Sequence, residues 1–89
     1  MKEREIFIGE YLRELREASN HSQEEMAHLC GVDTRSIYNL EIDKHLPILD
    51  TFGKLAVALN MKPSDLLRGI EENTNYLSMM TKYVESRRK

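Results

Sequence analysis

A single cysteine, Cys30, occurs among the 89 residues. One thiol cannot close an internal disulfide, so the expected setting is a reducing cytoplasm. No apolar run approaches the roughly 18 residues a membrane helix needs. The opening stretch MKEREIF is charged and has no apolar signal core, so neither a membrane span nor secretion is expected. An excess of cations is also missing: 13 Lys and Arg face 15 Asp and Glu, for a net charge of −2. That balance lacks the usual footprint of a nucleic-acid binder, although the placement of charge matters more than its sum. His21, His28 and His45 do not combine with a cysteine or carboxylate at a metal-ligand spacing. No Ser/His/Asp constellation or glycine-rich phosphate loop is visible. Neither an enzyme nor a cofactor is therefore expected. Strand alternation, internal repeats and low-complexity segments are absent as well.

What is present is helical periodicity. The charged residues 1–5 are expected to fray. From Ile6 an apolar face recurs through Ile8, Leu12, Leu15 and Ala18, and the polar Ser19-Asn20-His21 ends this first helix. Ser22 with Glu25 forms the Ser-x-x-Glu capping box, in which each side chain satisfies a free backbone N–H of the other. A second helix follows over 23–30, with Met26, Ala27 and Cys30 inward. Gly31 is the left-handed residue expected after it. Asp33 caps a third helix that runs to Glu41, with Ile37 and Leu40 inward. A loop over 42–46 closes at Pro47.

Asp50 is expected to cap a fourth helix with Leu49, Phe52, Leu55, Ala56 and Leu59 on its apolar face, and Asn60 to stop it. A short fifth helix is expected over 64–68, broken at Gly69. A sixth should run from Ile70 to about Arg88. There Ile70, Leu77 and Val84 fall seven apart, and Tyr76, Met80 and Tyr83 flank them. The reading is all-α: five helices in residues 1–68 and a C-terminal amphipathic helix in 69–89. So small a domain buries a modest core, and pairing with a second copy would stabilise it.

Several spaced features agree with one family. LREL at 12–15 with Arg16, SQEEMA at 22–27, GV at 31–32, SIYNLE at 36–41, Lys44-x-x-Pro47 and LDTFGKLAVALN at 49–60 resemble the phage-repressor and Cro-like helix-turn-helix family, often called XRE-like. The resemblance covers about residues 6–68. Local physics accounts for the pattern. Ala27 is small where two helices cross, Gly31 turns the backbone, and Val32, Ile37 and Leu40 fasten the third helix to its neighbours. Thr34, Arg35, Tyr38 and Asn39 then form its exposed face.

The resemblance implies a sequence-specific, DNA-binding transcriptional regulator, a repressor in the usual case, that binds double-stranded DNA as a homodimer. The third helix would lie in the major groove. Arg35 would pair with guanine, Asn39 with adenine, and Thr34 with a phosphate or a thymine methyl. Tyr38 would pack on sugar or donate to phosphate. Gln23 and Lys44 would contact the backbone, and Arg16 would pair with Glu41 to bridge the first and third helices. The chain departs from the family at Asp43, where glycine is common, and at Ile42, where a polar residue is usual. Asp43 sets a negative charge beside Lys44.

Charge is the obstacle to this reading. Ser22 to Leu46 carries two basic side chains, Arg35 and Lys44, against five acidic ones, a local charge of −3. If the acids are consumed inside the fold, the DNA-facing surface is left to the donors. If not, the domain is a protein-interaction module of the same fold. An antitoxin that binds a toxin and its own operon is a further form, with 70–88 as the partner segment. The stripe of Met79-Met80 with Tyr76 and Tyr83 is expected to self-associate.

Overall fold

The structure, a computed structural model, describes residues 6–88; the segment 1–5 expected to fray and the terminal Lys89 lie outside it. The described residues form six α-helices: α1 (Gly9–Ala18), α2 (Gln23–Cys30), α3 (Thr34–Glu41), α4 (Leu49–Ala58), α5 (Pro63–Asn73) and α6 (Tyr76–Arg87). None is long and apolar enough to cross a membrane.

Helices α1 to α5 enclose one core. Leu12 comes from α1, Met26, Ala27 and Cys30 from α2, Ile37 and Leu40 from α3, Leu55 and Ala56 from α4, and Leu66 and Ile70 from α5. Each large aliphatic buried there contributes about 1.5–3 kcal/mol. Packing links α2 to α3 and α4, α1 to α3, and α4 to α5. The α2–turn–α3 unit is therefore held on two sides.

The turn is built as its residues dictate. Ser22 Oγ accepts the Glu25 N–H at 3.0 Å, and Glu25 Oε1 accepts the Ser22 N–H at 2.8 Å. Gly31 sits at φ 69°, where a Cβ would be strained. Asp33 Oδ1 accepts the Ser36 N–H at 2.8 Å and starts α3. Asn20, Asp43 and Asn60 also have positive φ, each at a turn or loop.

Five expectations need correction. Helix α1 begins at Gly9, not Ile6. Its start is set by Asp43, whose Oδ1 accepts the N–H groups of Ile8 and Gly9 at 2.9 and 2.8 Å. Helix α4 is entered from Ile48 with no side-chain cap; Asp50 lies in the first turn and pairs with Lys54 at 2.9 Å. Leu49, expected inward, is 84% exposed.

Helix α5 runs through Gly69 instead of breaking there. The phenol oxygen of Tyr11 packs where a Cβ of residue 69 would stand, so a larger residue there would have to displace the end of that side chain. The break comes at Thr74, which is extended and bonds its own Oγ1 back to the Ile70 carbonyl at 2.6 Å. Ile70 is accordingly a buried member of α5, separate from the Leu77/Val84 stripe. Helix α6 packs chiefly on α5, and none of its residues is buried.

Candidate DNA-binding surface

The structural centre of the surface is a polar node beneath the start of α2. Arg16, on the last turn of α1, is buried. Its Nε donates to Glu41 Oε2 at 2.6 Å and its Nη2 to Glu41 Oε1 at 3.1 Å. Its Nη1 donates to the His21 carbonyl at 2.7 Å. The Glu41 hydrogen bond, with lesser help from the charges of Glu41 and Glu17 and against the cost of burial, raises the Arg16 pKa above its ordinary value. The guanidinium is therefore charged at any working pH. A buried pair of this kind is satisfied only as a pair, and removing one partner strands the other.

Gln23 belongs to the same node: its Nε2 donates to Glu41 Oε1 at 2.9 Å. Composition gives no sign of this third member. The signal available in the sequence is Gln at the first position of α2 together with Glu at the last position of α3.

Four of the five acids between Ser22 and Leu46 are turned to partners inside the fold. Glu25 closes the capping box, Asp33 caps α3, Glu41 holds Arg16 and Gln23, and Asp43 caps α1. Hydrogen bonds from Ser36, first from its side chain and then from its backbone, hold the Asp33 carboxyl below its ordinary value of 3.8. Glu24 is exposed. The negative charge expected beside Lys44 is thus directed at the α1 N-terminus, where free N–H groups and the helix dipole favour it.

On α3, Arg35 and Tyr38 are exposed, and Thr34 is half-buried at the first position of the helix. Lys44 and His45 are exposed in the loop beyond it. Asn39 does not share this face, and that expectation is corrected: it is 8% exposed. The loop folds back on it, with the Lys44 and His45 N–H groups on its backbone carbonyl at 2.9 and 3.4 Å. Its Oδ1 is buried without a partner. Two-bond pairing with an adenine edge needs that oxygen, so Asn39 as placed does not present it.

Among the described residues, no group of three or more His, Cys, Asp or Glu could hold a metal ion. Cys30 is buried, and desolvation pushes its thiol pKa up, despite the nearby Lys54 charge. Such a thiol is a core residue, not a reactive one.

A family described as helix-turn-helix matches residues 12–66. No curated protein matches the chain. Among solved structures, the restriction-modification controller protein C.AhdI from Aeromonas hydrophila is 40% identical, with a TM-score of 0.62, over 65% of this chain and 88% of that one. The DNA-binding domain of the P22 c2 repressor is 26% identical, with a TM-score of 0.66, over 78% of this chain and 88% of that one. SinR, a master regulator for biofilm formation solved in complex with DNA, is 23% identical, with a TM-score of 0.61, over 67% of this chain and 97% of that one. At that identity the last likeness speaks for the fold alone.

Proposed function

Because the chain belongs to the helix-turn-helix family, we propose that it is a sequence-specific DNA-binding transcriptional regulator, acting as a repressor on an operator. The observation that carries this reading is the fate of the acids. Four of five are spent on caps and on Arg16, which leaves α3 to present Thr34, Arg35 and Tyr38. Arg35 donates in pairs to guanine O6 and N7, Tyr38 reaches sugar or phosphate, and Lys44 meets the backbone. The N-terminus of α2, with Gln23, receives a phosphate. Likeness to a restriction-modification controller and to a repressor's DNA-binding domain supports the regulator reading.

The surface is poor in cations, so one subunit binds weakly. Two copies double the contacts and set the recognition helices about 34 Å apart, one turn of DNA. Exposed apolar side chains support self-association: Leu77, Tyr83 and Val84 on α6, Ile48 and Leu49 at the start of α4, and Leu67 on α5. The same exposure of α6 favours a second reading, in which residues 76–88 take a protein partner, as an antitoxin would.

Charge reversal at Arg35 tests the proposal. Arg35→Glu abolishes operator binding if α3 reads DNA. A protein that binds no DNA in either form, but still captures a protein partner, is an interaction module. Leu77→Lys with Val84→Lys, followed by light scattering, tests whether α6 pairs the subunits.

A further inference from the structure

Resting on the DNA-binding reading, we propose that Glu41 is a positioning residue for the phosphate contact. Through Oε1 it holds the Gln23 amide so that a free N–H of Nε2 is presented beside the start of α2.

The argument begins with what a carboxylate can do. It accepts hydrogen bonds and donates none. An amide side chain meeting it must therefore offer its nitrogen, not its oxygen. Glu41 Oε1 takes one Nε2 proton of Gln23 at 2.9 Å. The second Nε2 proton remains, on the same residue whose backbone N–H opens α2. The N–H groups of Gln23 and Glu24 have no intrahelical acceptor, as the first residues of a helix never do. The Glu25 N–H is already taken by Ser22 Oγ. Three donors thus belong to the first two residues of α2, the kind of group set from which a phosphate accepts at a helix N-terminus.

The anchor itself is rigid. Glu41 is fixed by two bonds from Arg16, and the side chains of the pair are 5% and 10% exposed. Arg16 also holds the His21 carbonyl, immediately before the Ser22 cap. One buried pair therefore fixes both the backbone entering α2 and the amide of its first residue. A glutamine free in solvent would have to be ordered on binding, at an entropic cost that this arrangement avoids. In this account the pair acts on DNA affinity without touching DNA.

A mutant cycle on a selected operator tests the inference, with folding checked by circular dichroism. Glu41→Gln alone strands Arg16 and unfolds the chain if the pair is needed for stability, so the anchor is removed by R16M/E41L, which replaces the buried pair with apolar side chains of similar bulk. Gln23→Ala is then made in the native and in the pair-replaced background. The expected result is a loss of about tenfold in affinity in the native background and a loss of less than about twofold in the pair-replaced one. In the native protein the Gln23 side-chain amide protons should also show the shift of a carboxylate-bonded group by NMR, and lose it in the pair-replaced protein. Equal losses in both backgrounds overturn the inference, as does an absence of loss in the native one. Native protein that selects no DNA sequence overturns the underlying reading, and is seen before any variant is made.

Discussion

Asp43 caps Gly9: its Oδ1 accepts the Gly9 N–H at 2.8 Å and the adjacent Ile8 N–H at 2.9 Å, across 34 and 35 residues of chain. It does so from a left-handed backbone, φ 62°. A single residue thus ends α3, turns the loop toward Lys44 and starts α1. Replacing it separates these roles. Asp43→Ala loses the cap and gains backbone strain, a cost of about 2–3 kcal/mol. Asp43→Gly relieves the strain and loses only the cap, about 1 kcal/mol. Asp43→Asn keeps the acceptor and tolerates the backbone, and costs least. Urea unfolding of the three variants gives the order; equal losses for Ala and Asn would deny the cap.

Two glycines in helices should respond in opposite directions. A Cβ on Gly9 would lie 2.7 Å from the Leu40 carbonyl oxygen and closer still to that of Glu41, both backbone atoms. Gly9→Ala must push α1 off the end of α3, and a loss of at least about 2 kcal/mol is expected. A Cβ on Gly53 meets nothing within 4 Å. Gly53→Ala should stabilise by about 0.5–1 kcal/mol through helix propensity. Thermal melts of the two variants check both signs.

Acid should loosen the start of α3. Ser36 holds the Asp33 pKa below 3.8 in the folded chain. A carboxyl whose pKa is lower folded than unfolded stabilises the fold above its ordinary value. That stability is lost as pH falls through the depressed value. Stability should therefore decline below about pH 4, and Asp33→Asn should flatten this part of the profile. Urea melts of both proteins between about pH 3 and pH 6 measure the difference; parallel profiles would assign the acid sensitivity elsewhere.

DNA contacts should divide by kind. Arg35→Ala should cost about 1–3 kcal/mol on the best operator and relax the preference at one base pair. Lys44→Ala should weaken binding evenly across sequences and reduce the salt slope by about 1. Titrations by fluorescence anisotropy at several salt concentrations separate the two behaviours. An even loss for Arg35→Ala would make it a backbone contact.

The parts of the fold that were legible in the sequence are those written in neighbouring residues. The capping box of Ser22 and Glu25, the turn at Gly31, the Asp33 cap and the stop at Asn60 all depend on residues within a few positions. The parts missed depend on residues far apart in the chain. Gly69 reads as a helix breaker until Tyr11 is packed against it. Asp43 reads as a misplaced charge until the α1 N-terminus is brought to it. Asn39 falls at an outward position by spacing alone, and the return of the loop onto it is what the spacing omits. For the candidate surface, the residue types on α3 were readable, whereas the bond tying Gln23 to Glu41 is a tertiary contact.

The most direct test is selection of bound sites from a random double-stranded DNA pool with the full chain, at low and moderate salt. The account predicts an inverted repeat with half-sites about ten base pairs apart, and loss of that enrichment for Arg35→Glu. A pool that returns unenriched at both salts would contradict it, and would leave the fold as a surface for binding protein.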